Sequence, residues 1–154
     1  MNEPAITISS KRIIGLVVFS FLITFAASRL VVYLVLGHFL PNLFLTVKGV
    51  HIHHFTYGVV ILVVVGLYLL LRRPAVESDA FRWATFIYGV GLGLTFDEFG
   101  MWVRLEDNYW VRQSYDAVVI VVLILFNIAY IRFIGVVLNV LVWRQIKKVY
   151  AFFK

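Results

Sequence analysis

Four long apolar runs, each bordered by charged residues, occupy most of this chain. They cover residues 13–37, 54–71, 81–103 and 116–136. A helix of about 20 apolar residues crosses a hydrocarbon layer about 30 Å thick, so each run is long enough to span a bilayer. The runs therefore predict an all-α, multi-pass membrane protein. We expect one domain over residues 1–154, with four transmembrane helices and an amphipathic tail over residues 137–154.

The composition is typical of the same class. Hydrophobic residues make up 62% of the chain and charged residues 14%, whereas soluble domains are about half apolar and about a quarter charged. The formal net charge is +6, but the basic residues lie at the ends of the apolar runs. They therefore favour the lipid bilayer, not nucleic acid, as the partner. The absence of cysteine excludes disulfides, thiolate ligands and cysteine nucleophiles.

The distribution of basic residues predicts how the four spans are oriented. Cytoplasmic loops of membrane proteins carry an excess of lysine and arginine. Nine basic residues fall on one side of the predicted spans, and only Lys48, Arg104 and Arg112 fall on the other. We therefore expect both termini in the cytoplasm. The nine residues are Lys11, Arg12, Arg72, Arg73, Arg82, Arg144, Lys147, Lys148 and Lys154.

Ionisable residues lie at a similar depth in all four predicted spans. Measured at 1.5 Å per residue from a basic residue near the cytoplasmic end, each lies about 23 to 27 Å along its helix. They are Arg29, His54, Asp97 and Asp116. Ionised groups inside a membrane usually face the protein interior and pair with one another. We therefore expect these four side chains to meet just below the outer surface.

Small residues indicate which way the third span faces. The positions that recur every four residues, and so share one helix face, are Thr85, Gly89, Gly93, Asp97 and Met101. The spacing of Gly89 and Gly93 allows another helix to approach closely. Asp97 is therefore predicted to point into the bundle. Burial of its charge requires a partner, and Arg29 is the one that we expect.

The segment His51-Ile52-His53-His54 precedes the second span, and it suggests a metal site. Imidazole and carboxylate groups together suit zinc, iron or manganese. We interpret His51, His54 and Asp97 as ligands of a divalent metal, zinc foremost. The alternative is a histidine cluster at the membrane interface that hydrogen-bonds loop carbonyls. No established zinc-enzyme spacing such as HExxH is present.

Two adjacent acids, Asp97 and Glu98, are the candidates for catalysis. Desolvation of a carboxyl group favours its protonated form, so that the group can take up and release protons nearer neutral pH, as acid–base catalysis requires. Glu98 is predicted to be a general base. Three further residues, Arg29, His53 and Asp116, are predicted to support the site. A purely structural pair between Asp97 and Arg29 is a compatible alternative.

Four short motifs resemble those of small prokaryotic integral membrane proteins of unassigned function. They are His-Ile-His-His at 51–54, Asp-Glu-Phe at 97–99, Asp-x-Tyr-Trp at 107–110 and Ser-x-Asp-Ala at 114–117. The likeness covers roughly residues 50–120. It implies a multi-pass protein of a prokaryotic inner or plasma membrane, and it implies no particular reaction.

The segment Asp97-Glu98-Phe99-Gly100-Met101 is also similar to the Asp-Glu-x-x-Met motif of alkaline-ceramidase-like membrane hydrolases. In that family the motif works with a serine and three histidines around zinc. The resemblance implies that Asp97 corresponds to the catalytic-site aspartate. The family has seven spans and a later His-x-x-x-His helix, for which this chain has no counterpart. The similarity therefore indicates a reaction class and does not transfer the histidine ligands.

Three functions are consistent with the sequence. The first is metal-assisted hydrolysis of a lipid-type substrate at the His/carboxylate site. The second is an ion or proton transport role. A path through the membrane needs polar groups halfway across, and because the charged residues of one chain lie near one surface, a homo-oligomer would have to supply them. The third is a structural or assembly role without catalysis, in which the polar layer holds the helices together. A haem held by His38 and His54 is a further, less supported interpretation.

Overall fold

The computed structural model describes residues 6–41, 45–48, 50–106, 108–130 and 143. Helices account for most of them. In chain order these are α1 (Ile6–Leu36), α2 (His54–Arg72), α3 (Asp79–Asp97), the short α4 (Phe99–Arg104) and α5, described over Arg112–Tyr130. The predicted amphipathic tail lies outside the described residues apart from Trp143, as does the end of the predicted fourth span.

Three of these helices are long and apolar enough to cross a membrane. They are Ser10–Leu36 within α1, the whole of α2, and the described part of α5. Large apolar side chains point outward along them, as Val64 and Leu71 do on α2, where they are 59% and 78% exposed. The predictions of a helical chain and of these three apolar helices are therefore confirmed.

Helix α3 is as long as α2, with 19 residues, but it is less apolar. Its glycines, its threonines and the charges of Asp79, Arg82 and Asp97 lower its hydrophobicity. It lies between α1 and α2 and packs against both. The predicted small-residue face is buried from Thr85 to Asp97. This helix is therefore the centre of the bundle.

Glycines bring the backbones of these helices close together. A Cβ atom on Gly93 would lie 2.6 Å from Thr24 Cβ of α1, and one on Gly89 would lie 2.6 Å from the Val17 carbonyl oxygen. On the other side, a Cβ on Gly58 of α2 would lie 2.6 Å from the backbone nitrogen of Thr95. The close approach predicted from the Gly89–Gly93 spacing is therefore confirmed, with α1 as the neighbour.

Local sequence explains where α2 ends and α3 begins. Arg73 adopts a left-handed conformation (φ 45°, ψ 53°), and its N–H donates to the Leu69 carbonyl at 3.1 Å. Pro74 follows and cannot continue a helix hydrogen-bond pattern. The Ser78 hydroxyl then accepts from the Phe81 N–H at 3.2 Å and caps α3. A short polar turn therefore connects two antiparallel helices.

At the opposite end of α2, a small hairpin leads into the helix. Strand β1 (Thr46–Val47) pairs antiparallel with β2 (Val50–His51), with Thr46 opposite His51. The Ile52 N–H donates to the Leu45 carbonyl at 2.8 Å and extends this pairing. Helix α2 therefore begins at His54, so His51 lies in a strand and does not share a helix face with His54.

Helix α5 runs antiparallel to α1. Near one end, the rings of Phe25 and Tyr115 pack edge to face with centroids 6.0 Å apart. Near the other end, Lys11 Nζ lies 5.3 Å from the Tyr130 ring centroid. The four long helices α1, α2, α3 and α5 therefore alternate in direction along the chain.

The third apolar run differs from its prediction as one helix over residues 81–103. The helix breaks at Glu98 (φ −102°, ψ 9°) and restarts as α4. The N–H groups of Met101 and Trp102 both donate to the Glu98 carbonyl, at 3.0 and 3.2 Å. The break turns the Glu98 side chain towards the start of α2, where its carboxylate is hydrogen-bonded.

Candidate functional site

Five ionisable side chains from four chain segments meet at one end of the bundle. Arg29 comes from the last third of α1, His53 and His54 from the start of α2, Asp97 from the end of α3, and Glu98 from the break before α4. Asp97 and Glu98 are 0% and 1% exposed, and Arg29 is 8% exposed. We call this group the polar centre. Arg29, Asp97 and Glu98 are buried in spite of their charge, whereas the side chains of His53 and His54 are 35% and 19% exposed. Pairing is what stabilises the buried charges.

Asp97 lies between a guanidinium and an imidazole. Its Oδ1 atom is 2.5 Å from Arg29 Nε, and its Oδ2 atom is 3.0 Å from His54 Nε2. Arg29 Nε and Asp97 Oδ1 form an ion pair without the alignment of a hydrogen bond, and neither has another hydrogen-bond partner among the described residues. The predicted pairing of Arg29 with Asp97 is confirmed.

Arg29 also binds two backbone carbonyls. Its terminal nitrogens donate to the Tyr109 and Asp97 carbonyl oxygens. These bonds connect α1 to the end of α3 and to the segment that leads into α5. Because one planar guanidinium makes all three contacts, a lysine could not reproduce them.

Aromatic rings surround the same guanidinium. The Arg29 Cζ atom lies 5.4 Å from the Phe25 ring centroid, 5.9 Å from that of Trp110 and 5.0 Å from that of Tyr115. A cation within about 6 Å of an aromatic face is attracted to it. The positive charge is therefore held from the side of α5 as well as from the side of Asp97.

Glu98 caps the N-terminus of α2. Its Oε2 atom accepts from the Phe55 N–H at 2.8 Å, which is one of the first-turn donors that have no partner within the helix. Its Oε1 atom lies 3.1 Å from His53 Nδ1 and 3.2 Å from His54 Nε2. The positive end of the α2 dipole also favours a carboxylate at this position. The Glu98 charge is thus held by backbone and imidazole together.

Tyr109 covers the imidazoles. It is 8% exposed, and its ring centroid lies 6.4 Å from those of His53 and His54. The segment around Tyr109 therefore folds back over the polar centre as a cap. Asp107, in the same segment, lies outside the described residues.

A buried serine joins α5 to the polar end of the bundle. Ser114 is 0% exposed, and its Oγ atom accepts from the Gly100 N–H at 2.9 Å. Gly100 belongs to the first turn of α4, whose N–H groups need partners outside the helix. Ser114 lies within α5, which begins at Arg112, and its hydroxyl satisfies the N-terminus of α4.

The structure brings together five of the seven predicted site residues, the members of the polar centre. The sixth, Asp116, is exposed and pairs with Arg112 at 3.3 Å on the surface of α5. For the seventh, His51, the structure describes the backbone only. His38 is exposed beyond the end of α1, in a left-handed conformation. Sequence reasoning missed the Tyr109 carbonyl and the Phe55 N–H, because backbone groups leave no residue-type signal.

Two cavities adjoin the polar centre. One of about 390 Å³ is lined by His54 together with residues of α1 and by Leu94. The other, of about 480 Å³, lies beside Glu98 and α4. Within the described residues, no group of three or more histidine and acidic side chains is arranged to hold a metal ion. The centre as described is a hydrogen-bonded network with space on two sides.

Comparison with protein-family models, curated proteins and solved structures found no match for this chain. The resemblances noted from the motifs therefore stay predictions.

Proposed function

We propose that the chain is a four-span membrane protein whose polar centre binds a divalent metal, zinc foremost, and hydrolyses a lipid-type substrate. One observation carries the proposal. Two imidazoles and two carboxylates, from His53, His54, Asp97 and Glu98, form one network with N···O distances of 3.0–3.2 Å, and both carboxylates are buried.

The position of α3 supports the proposal that it also crosses the membrane, which makes four spans in total. It is enclosed by α1 and α2, and its 19 residues extend about 28 Å at 1.5 Å per residue, close to the thickness of a hydrocarbon layer. Since its neighbours can cross a membrane, α3 crosses with them. Its lower hydrophobicity is tolerated because its small and polar residues face the other helices.

The ends of the helices support an outward-facing centre. Lys11 and Arg12 near the start of α1, Arg72 at the end of α2, and Arg82 near the start of α3 all lie at the end opposite the polar centre. By the positive-inside rule this basic end faces the cytoplasm. The polar centre then lies near the outer surface of a cell membrane, at the depth that a lipid headgroup region occupies.

The donor types support a metal. Imidazole nitrogens and carboxylate oxygens are ligands of zinc, and those of His53, His54, Asp97 and Glu98 lie 3.0–3.2 Å from one another. These atoms are now hydrogen-bonded to one another, so ligation requires rotation of the side chains. We propose His53, His54 and Asp97 as the ligands and Glu98 as the general base.

The charge balance supports a cation of some kind. The polar centre holds two buried carboxylates and one guanidinium, and the two imidazoles lie 3.0–3.2 Å from the carboxylate oxygens. Buried carboxylates need positive partners. A bound metal ion would add positive charge there and would activate a water molecule as the nucleophile. Glu98, beside the 480 Å³ cavity, is placed to take the proton from that water.

Elemental analysis of the purified full chain tests this proposal. We expect about one zinc or similar ion per chain, with Asp97→Asn depleted of metal and His38→Ala unchanged, since the exposed His38 lies outside the centre. Absence of metal from the wild-type chain, before and after incubation with zinc, would remove the proposal.

A structural role is the second candidate, because each carboxylate oxygen of the polar centre already has a partner. Asp97 Oδ1 pairs with Arg29, Asp97 Oδ2 and Glu98 Oε1 pair with imidazole, and Glu98 Oε2 pairs with the Phe55 N–H. In that case Asp97→Asn would lower the thermal stability of the chain, and the wild-type chain would hold no metal.

A further inference from the structure

A groove runs beside α4 from the polar centre towards the surface. It has a volume of about 480 Å³, within the range of about 300–1,000 Å³ that ligand sites occupy. Phe55, Met101 and Trp102 line its apolar part, and His53, Glu98 and Glu106 line its polar part. We call it the α4 groove. A groove with an aromatic wall and acidic residues can distinguish ligands by charge.

The aromatic wall is formed by two parallel rings. Phe55 and Trp102 stack with centroids 5.6 Å apart and an interplanar angle of 16°. Trp102 is 58% exposed and the neighbouring Leu105 is 88% exposed. Flat aromatic faces bind hydrocarbon chains by area and attract cations through the ring quadrupole. The wall therefore suits a molecule that has both an apolar chain and a positive group.

The acidic residues make the groove attractive to positive charge. Glu98 is buried at the inner end, where its oxygens are held by imidazoles and the Phe55 N–H. Glu106 is exposed at the outer end, with its side chain 58% exposed. Arg104 Nε lies 4.0 Å from Glu106 Oε2 in an exposed pair, and such pairs are weak. Glu98 is 1% exposed, so Glu106 is the carboxylate that a headgroup in the groove can reach.

We infer that the α4 groove binds an amphiphile with a cationic amine or quaternary ammonium headgroup. The headgroup lies between Glu106 and the Trp102 ring, and the chain follows Trp102 and Leu105 towards the bilayer. This places the polar part of the molecule beside Glu98. That this amphiphile is the substrate rests on the proposed hydrolytic function, whereas its binding does not depend on a metal.

Calorimetric titration of hexyltrimethylammonium into the full chain in neutral maltoside micelles tests the inference. The short chain keeps the probe monomeric, and hexyl sulfate is the matched anion. We expect saturable binding of the cation and none of the anion. Glu106→Gln should weaken the binding of the cation about two- to fivefold by removing one exposed Coulombic partner. Trp102→Leu should also weaken it. Glu77→Gln, an equal loss of charge at an exposed position in the α2–α3 turn, should leave it unchanged.

Absence of saturable cation binding, equal binding of both probes, or an unchanged affinity in Glu106→Gln would overturn the inference. The same protein preparations separate it from the metal proposal. Metal without cation binding would overturn the groove assignment alone. Cation binding without metal would support the groove and overturn the metal proposal alone.

Discussion

Arg29 Nε and Asp97 Oδ1 lie 2.5 Å apart in the interior of the bundle, although the end of α1, the β1–β2 hairpin, all of α2 and most of α3 lie between the two residues in the chain. The pair joins the first helix to the central one. Arg29 extends this connection to the Tyr109 carbonyl, so the same side chain also holds the segment that covers the imidazoles. The polar centre and the packing of α1 are therefore a single structural unit.

The variant Arg29→Met tests this unit. It leaves the buried Asp97 carboxylate without its counter-ion, and breaking a buried pair in this way costs about 3–5 kcal/mol of unfolding free energy. Thermal unfolding in detergent should show a large loss of stability. Arg29→Lys should also be destabilised, since an ammonium cannot bind Asp97 and both carbonyls together.

The surface provides the control for that experiment. Arg112 pairs with Asp116 at 3.3 Å, with side chains 87% and 55% exposed, and exposed pairs contribute little. Arg112→Met should leave the unfolding temperature close to that of the wild type. Equal stability of Arg29→Met and Arg112→Met would contradict the role given to the buried pair.

Gly58→Ala tests the contact between α2 and α3. The added methyl group would lie 2.4 Å from Thr95 Oγ1 and 2.6 Å from the Thr95 backbone nitrogen. The helices have to separate, and overpacking of this kind costs about 1–3 kcal/mol. Gly66→Ala in the same helix meets nothing within 4 Å. It should be neutral or slightly stabilising, because alanine favours a helix over glycine. If both variants unfold at the same temperature, the close packing at Gly58 is refuted.

Ser114→Ala tests the connection between α4 and α5. The substitution leaves the buried Gly100 N–H without its acceptor, and an unsatisfied buried donor costs about 1–3 kcal/mol. We expect a lower unfolding temperature with the polar centre still assembled. Gln113→Ala, at the exposed neighbouring position, is the control. Wild-type stability in Ser114→Ala would show that this hydrogen bond is unimportant.

The depth of the ionisable residues was predictable from the sequence, whereas the direction in which a side chain points was predictable only for α3. Counting residues from the basic ends predicted that Arg29, His54 and Asp97 lie in one layer, and the recurrence of small residues predicted that Asp97 faces inward. Asp116 has a similar predicted depth but points to the surface beside Arg112. No small-residue pattern in that span indicated its facing side.

Local backbone geometry accounts for the other differences. The sequence gives no proline at the break before α4, so Glu98 was expected within a continuous helix. The break instead depends on tertiary hydrogen bonds from the α2 N-terminus to its carboxylate. Likewise, the pairing of Val47 with Val50 places His51 in a strand, so α2 begins only at His54. Both features arise from contacts between segments, which hydropathy and periodicity do not report.

Cobalt substitution tests the central claim most directly, because tetrahedral cobalt bound by nitrogen and oxygen has visible absorption bands that report its ligands. We predict that the full chain binds one cobalt ion with such a spectrum, that zinc displaces it, and that His38→Ala gives the same spectrum. His54→Ala should lose the bands. A wild-type chain without cobalt absorption, or a spectrum that is unchanged in His54→Ala, would contradict the metal centre proposed here.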